Sequence, residues 1–121
     1  MSEEPNGTLL EREDIGDVTV VRIRVPMLQG GEPTDALFRQ ITDIVREGGC
    51  RRLVLNLAAV EYLASPALGK LVSLGRTVRE VQGRVALCRA RQTVDRLLEA
   101  THLSEIIPVY ADEQGAVQSL A

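Results

Sequence analysis

The rhythm of apolar positions changes several times along the chain, and each change predicts an element. Val18-Thr-Val-Val-Arg-Ile-Arg-Val25 is rich in β-branched residues and alternates toward its end, the signature of a strand. Thr8-Leu-Leu-Glu-Arg-Glu-Asp14 before it is weakly strand-like, and Ile15-Gly-Asp17 reads as a turn, so the two runs predict an antiparallel hairpin. Pro26 stops the ladder, and Gln29-Gly-Gly-Glu-Pro33 is a loop. The period then lengthens. Leu37, Phe38, Ile41, Ile44 and Val45 share one side of a helix that Thr34 caps and that runs to about Glu47. Gly48 and Gly49 end it by allowing a left-handed backbone.

Arg52-Leu-Val-Leu-Asn-Leu57 is almost continuously apolar, as expected of a strand buried on both faces of a sheet. A helix from Pro66 to Gln82 follows, with Leu68, Leu71, Val72, Gly75 and Val78 inward and Gly83 as its stop. Arg84–Cys88 is the next strand. Gln92–Thr101 is a helix facing in through Val94, Leu97 and Leu98. Ile106–Tyr110 is a strand that Pro108 confines to an edge, and Asp112–Ala121 is a short terminal helix. Helices alternating with strands imply crossovers. The fold class is therefore α/β: a mixed sheet of four to five strands, an antiparallel hairpin first and parallel strands after it. Residues 1–7 read as a disordered tail and 8–121 as one domain.

Composition narrows the functional classes. A formal net charge of −3 argues against nucleic-acid binding, which needs a basic stripe to release counterions. Phe38, Tyr62 and Tyr110 are the only aromatic residues, too few for a stacking platform. The acidic start Met1-Ser-Glu-Glu-Pro5 and the short apolar runs predict a cytoplasmic protein with no membrane partner. Cys50 and Cys88 read as buried free thiols, and His102 as a residue topping a helix C-terminus. There is no Walker loop, no GxGxxG and no spaced ligand set, so the sequence predicts no catalytic residue, no cofactor and no metal.

One segment stands out. Ser65 is followed by Pro66 and then by helical periodicity, which reads as an N-cap with proline in the first turn. An exposed hydroxyl there lies beside the positive end of a helix, where an added phosphate is electrostatically welcome. Pro66, Ala67 and Gly69 make the first turn flat and small, suited to close approach by a partner, and Lys70 and Ser73 extend its outer face. Glycine inside a helix costs about 1 kcal/mol against alanine, so Gly69 predicts tight packing or contact. Asn56, in an otherwise apolar strand, needs hydrogen bonds, and it reads as a brace for the loop that carries Glu61 to Ser65.

With these residues in view the chain resembles the STAS domain of bacterial anti-sigma factor antagonists, over nearly everything from Thr8 to Leu120. The resemblance rests on the order of elements and on Leu53-Val-Leu-Asn-Leu57 followed by Tyr62-Leu-Ala-Ser-Pro-Ala-Leu-Gly69. The family's usual motif has Asp or Asn in the strand and Asp-Ser-Ser-Gly-Leu-Gly at the helix start. The resemblance implies a non-enzymatic protein-binding regulator that sequesters an anti-sigma factor, itself a serine kinase, and is switched off by phosphorylation of Ser65. Ala64, Pro66, Ala67, Gly69, Lys70 and Ser73 are the partner-contact candidates it implies, on a monomer or weak dimer. Ala64, Pro66 and Ala67 depart from the motif's Asp, second Ser and first Gly, and the missing Asp favours the alternative of an unphosphorylated scaffold or adaptor module.

Overall fold

Residues 9–121 are described by a computed structural model. The segment expected to be a tail, residues 1–7, lies outside the described residues. Alternation in the second strand already divides the molecule in two: Val21 and Ile23 point into one apolar layer, and Val18 and Val20 into another. The first strand, β1 (Leu10–Ile15), pairs antiparallel with β2 (Val18–Ile23), as the hairpin pattern predicts.

β4 (Arg52–Asn56), β6 (Arg84–Cys88) and β7 (Val109–Tyr110) then add in parallel, giving one sheet in the order β1-β2-β4-β6-β7. β4 is central, and Leu53, Val54 and Leu55 are fully buried, which accounts for its unbroken apolar run. β7 is an edge strand two residues long, shorter than the predicted Ile106–Tyr110. Leu103–Glu105 forms a single 3-10 turn before it.

Three helices cover one face: α1 (Thr34–Arg46), α2 (Ser65–Glu80) and α3 (Gln92–Ala100). Leu37, Ile41, Leu71, Leu74, Val94 and Leu98 join Leu53, Leu55 and Leu87 in the larger core. The last helix, α4 (Glu113–Leu120), lies on the other face, where Ala116 and Leu120 meet Val18, Val20, Val54, Ala86 and Cys88. No helix among the described residues is long and apolar enough to cross a membrane.

Several local expectations change. Thr34 does not cap α1. It is the first helical residue, wholly buried, and its Oγ1 accepts from the Gln29 N–H at 3.0 Å, so it pins the preceding loop instead. At the other end only Gly49 takes the left-handed backbone, at φ +74°. The stop after α2 is likewise divided: Gln82 takes the positive φ, 61°, whereas a Cβ on Gly83 would lie 2.7 Å from the Arg51 carbonyl oxygen. The inward stripe of α2 is rotated from the predicted one. Ala67, Leu74 and Thr77 are buried with Leu71, Gly75 and Val78, while Leu68 and Val72 are only partly covered.

A further pairing was not anticipated. Met27–Leu28 (β3) and Tyr62–Leu63 (β5) form a small parallel ribbon between the two loops that precede α1 and α2.

Candidate functional site

The ribbon builds the site. Leu28 and Leu63 are its inward anchors, both buried, and the alternation of a strand turns their neighbours Met27 and Tyr62 outward, 47% and 49% exposed. Three backbone bonds tie the β4–α2 loop to the residues after β2: Glu61 N–H and Tyr62 N–H donate to the Pro26 carbonyl at 2.7 and 3.1 Å, and Ala64 N–H donates to that of Leu28 at 2.8 Å.

The last of these bonds decides where α2 begins. Held as a strand end, Ala64 keeps an extended backbone (φ −101°, ψ 165°) and becomes the N-cap, its carbonyl accepting from Ala67 and Leu68 at 2.9 and 3.2 Å. Ser65 is therefore the first residue of the helix and makes no side-chain cap, contrary to the sequence expectation. Pro66 follows at the second position, lacking an N–H, and both residues are exposed. The Ala67 and Leu68 amides are thus committed to Ala64 and are not free for a group on Ser65.

The other candidates separate. Ala67 is fully buried and joins the core, so its side chain is not available to a partner. Pro66 and Gly69 are exposed, and a Cβ built on Gly69 meets nothing within 4 Å. Internal packing thus does not explain this glycine. Lys70 reaches Asp35 at 2.9 Å and ties α2 to α1, and Ser73 is exposed one turn further on. Gly30 approaches from the neighbouring loop: a Cβ there would be 3.5 Å from the Pro66 ring.

Asn56 braces the loop, but at its start. Its Oδ1 accepts from the Ala58 N–H at 2.9 Å, and its Nδ2 donates to Glu113 Oε2 at 2.8 Å. Glu113 also receives Arg22 in a fork, Nε to Oε2 at 2.9 Å and Nη2 to Oε1 at 2.8 Å. Arg22 bonds Glu13 as well, at 2.7 Å. The Arg22 fork holds the Glu113 carboxyl below the usual range against the opposing effect of burial, and its Asn56 bond adds to that. The same two carboxylates raise the Arg22 guanidinium.

This cluster was missed from sequence. Alternation places Arg22 on the face opposite Ile23, but nothing in the sequence pairs it with a residue 91 positions away.

The remaining titratable candidates are separate from the site. Burial pushes the Cys88 thiol up to about 12, so it stays protonated. Cys50 and Cys88 are both free, as expected, and occupy different cores. His102 follows α3 with φ +63°, and its Nδ1 lies 2.8 Å from Glu105 on the surface. Among the described residues no group of three or more His, Cys, Asp or Glu side chains could hold a metal.

An open mixed sheet with helices on both faces, carrying an exposed serine at the start of its second helix, defines the class as an α/β domain. The STAS domain family model matches residues 10–116, and the chain belongs to that family. It is 25% identical over 111 residues to the anti-sigma F factor antagonist of Paenibacillus polymyxa, covering 92% of this chain and 93% of that protein. Among solved structures, an anti-sigma-factor antagonist (STAS) domain protein from Planctomyces limnophilus superposes with a TM-score of 0.80 at 24% identity. The match covers 93% of this chain and 97% of that one. The anti-sigma factor antagonist SpoIIAA in its unphosphorylated form gives 0.75 at 18%, over 91% and 94%. These likenesses establish the α/β STAS fold with its leading antiparallel hairpin.

Proposed function

We propose that the chain is an anti-sigma factor antagonist, a non-enzymatic regulator that binds an anti-sigma factor one-to-one and so releases a sigma factor. The observation that carries this reading is the surface around Ser65. A hydroxyl that makes no cap stands in solvent on the same helix turn as an open glycine face, and the ribbon leading into that helix leaves Met27 and Tyr62 exposed, two of the large apolar side chains at the surface. The names of the relatives point the same way. Contact runs over Pro66, Gly69, Lys70 and Ser73, with Ala64 at its edge and Met27 and Tyr62 an apolar margin.

Phosphorylation of Ser65 by a kinase anti-sigma factor would place roughly −1.5 to −2 charges on that surface. A partner docked there would have to desolvate them, so the phosphate opposes binding without refolding the domain. Calorimetric titration against the anti-sigma factor tests this. Ser65→Asp is expected to lose at least tenfold in affinity, Gly69→Trp to lose as much with its melting temperature kept, and Ser65→Ala to bind normally. Equal affinity for the Asp and Ala variants would remove Ser65 as a switch. Ala64 and Pro66, which alter the motif around the serine, favour a second reading. In it the same surface belongs to an unphosphorylated adaptor, and incubation with the kinase and labelled ATP would leave the bound chain unlabelled.

A further inference from the structure

The domain carries a hollow that none of the residues assigned to the partner surface lines. A cavity of about 580 Å³ opens at the carboxyl ends of β2, β4 and β6, lined among others by Arg22, Arg24, Asn56, Ala59, Arg89 and Glu113. Carboxyl ends of parallel strands are where open α/β sheets hold their ligands, and the volume falls within the range of small-molecule sites.

The charges in its wall are not balanced from within. Glu113 is the one carboxylate of the lining, and it is saturated by the Arg22 fork and Asn56. Among the described residues Arg24 pairs with Glu11 alone, at 3.1 Å, with both side chains more than half exposed, where such a pair is worth little and is readily exchanged. Arg89 has no carboxylate within ion-pair distance among the described residues. It also holds a left-handed backbone, φ +57°, while its N–H donates to Tyr110 at 3.2 Å. A non-glycine residue in that region is strained and persists where the surroundings impose it, often at binding sites.

The rim is fixed. The Ala58 N–H is held by Asn56 and the Ala58 carbonyl by Arg91 Nε at 3.0 Å, so this part of the wall does not depend on the ligand for its shape.

We infer that this cavity binds a small, doubly charged oxyanion of the phosphate class, gripped between the Arg24 and Arg89 guanidiniums at the carboxyl edge of the sheet. Two forked cations, Arg89 without a carboxylate partner among the described residues and Arg24 held only by an exposed pair, match a dianion in charge and in hydrogen-bond geometry. The volume has room for more than a single phosphate group.

The probe is inorganic pyrophosphate, titrated into the isotopically labelled full chain at constant ionic strength while amide shifts are followed. Saturable shifts are expected at Ala58, Ala59 and Arg89. Arg89→Gly removes the guanidinium and suits the positive φ, so it should fold at least as well as the parent and lose tenfold or more in affinity. Arg24→Gln should lose several-fold. Shifts that never saturate, that sodium chloride reproduces, or that survive unchanged in both variants would overturn the site. Neither substitution lies in the surface assigned to the anti-sigma factor. Failure here therefore leaves that reading standing, and loss of partner binding in a Ser65 or Gly69 variant leaves this one.

Discussion

The turn at Ser65 and the cluster around Glu113 lie at the same edge of the sheet and are built in opposite ways. The turn's hydrogen bonds come from backbone: Pro26, Leu28 and Ala64 supply its carbonyls, and no side chain caps the helix. The cluster is held through side chains, with Arg22, Asn56 and Glu113 joining two strands to the last helix through bonds of 2.8–2.9 Å. A backbone-built turn tolerates change in its exposed side chains, which leaves Ser65, Pro66 and Gly69 free to serve a partner. A side-chain-built cluster tolerates little, because each member left alone is a partly buried polar group without its bond.

That contrast breaks or sharpens under substitution. The largest stability effect is expected for Asn56→Leu, which strips the Ala58 N–H of its acceptor and Glu113 of one donor. Urea unfolding should show a loss of about 2 kcal/mol, and a loss below about 0.5 kcal/mol, typical of neutral surface positions, would mean the cluster contributes no more than the turn does.

Glu113→Gln should follow, with a pH signature. The folded-state acidity of Glu113 is strengthened, so its contribution to stability is present above the ordinary glutamate range and is lost as pH falls through that range toward the depressed folded value. The variant should be less stable than the parent at pH 7, and the gap should close on acidification. A gap independent of pH would assign the effect to shape rather than charge.

The smallest effect belongs to Ser65→Ala. With no cap bond to lose, its unfolding free energy should stay within about 0.5 kcal/mol of the parent, measured in the same urea series. A loss near 1 kcal/mol, the usual value of a serine cap, would restore the capping role that the sequence suggested.

Features carried by local periodicity were legible before any coordinates. The buried central strand from Leu53, the amphipathic α1 and the free thiols all follow from apolar spacing and residue type. Ser65 was found because Ser-Pro before a helical stripe is a local signal, but its position was misjudged by one residue. The determinant is a bond from Ala64 to Leu28, some 36 residues away, which no local pattern encodes. Thr34 failed for the same reason, since Gln29 competes for its hydroxyl. The β3–β5 ribbon was hidden because two-residue strands have no period to detect. Arg22 and Glu113 are ordinary charged residues until the chain closes and brings them together.

Cys50 and Cys88 have a practical use that follows from where they sit. One is buried in the layer beneath α1, α2 and α3, the other in the layer beneath α4, so the sheet separates them. Each is a built-in clock for the opening of its own side. A thiol reagent applied under native conditions reads how often each layer exposes its sulfur, without any label added to the chain. If α4 lifts away more often than the three-helix layer, Cys88 reacts first, and two modification rates from one sample rank the two sides of the domain.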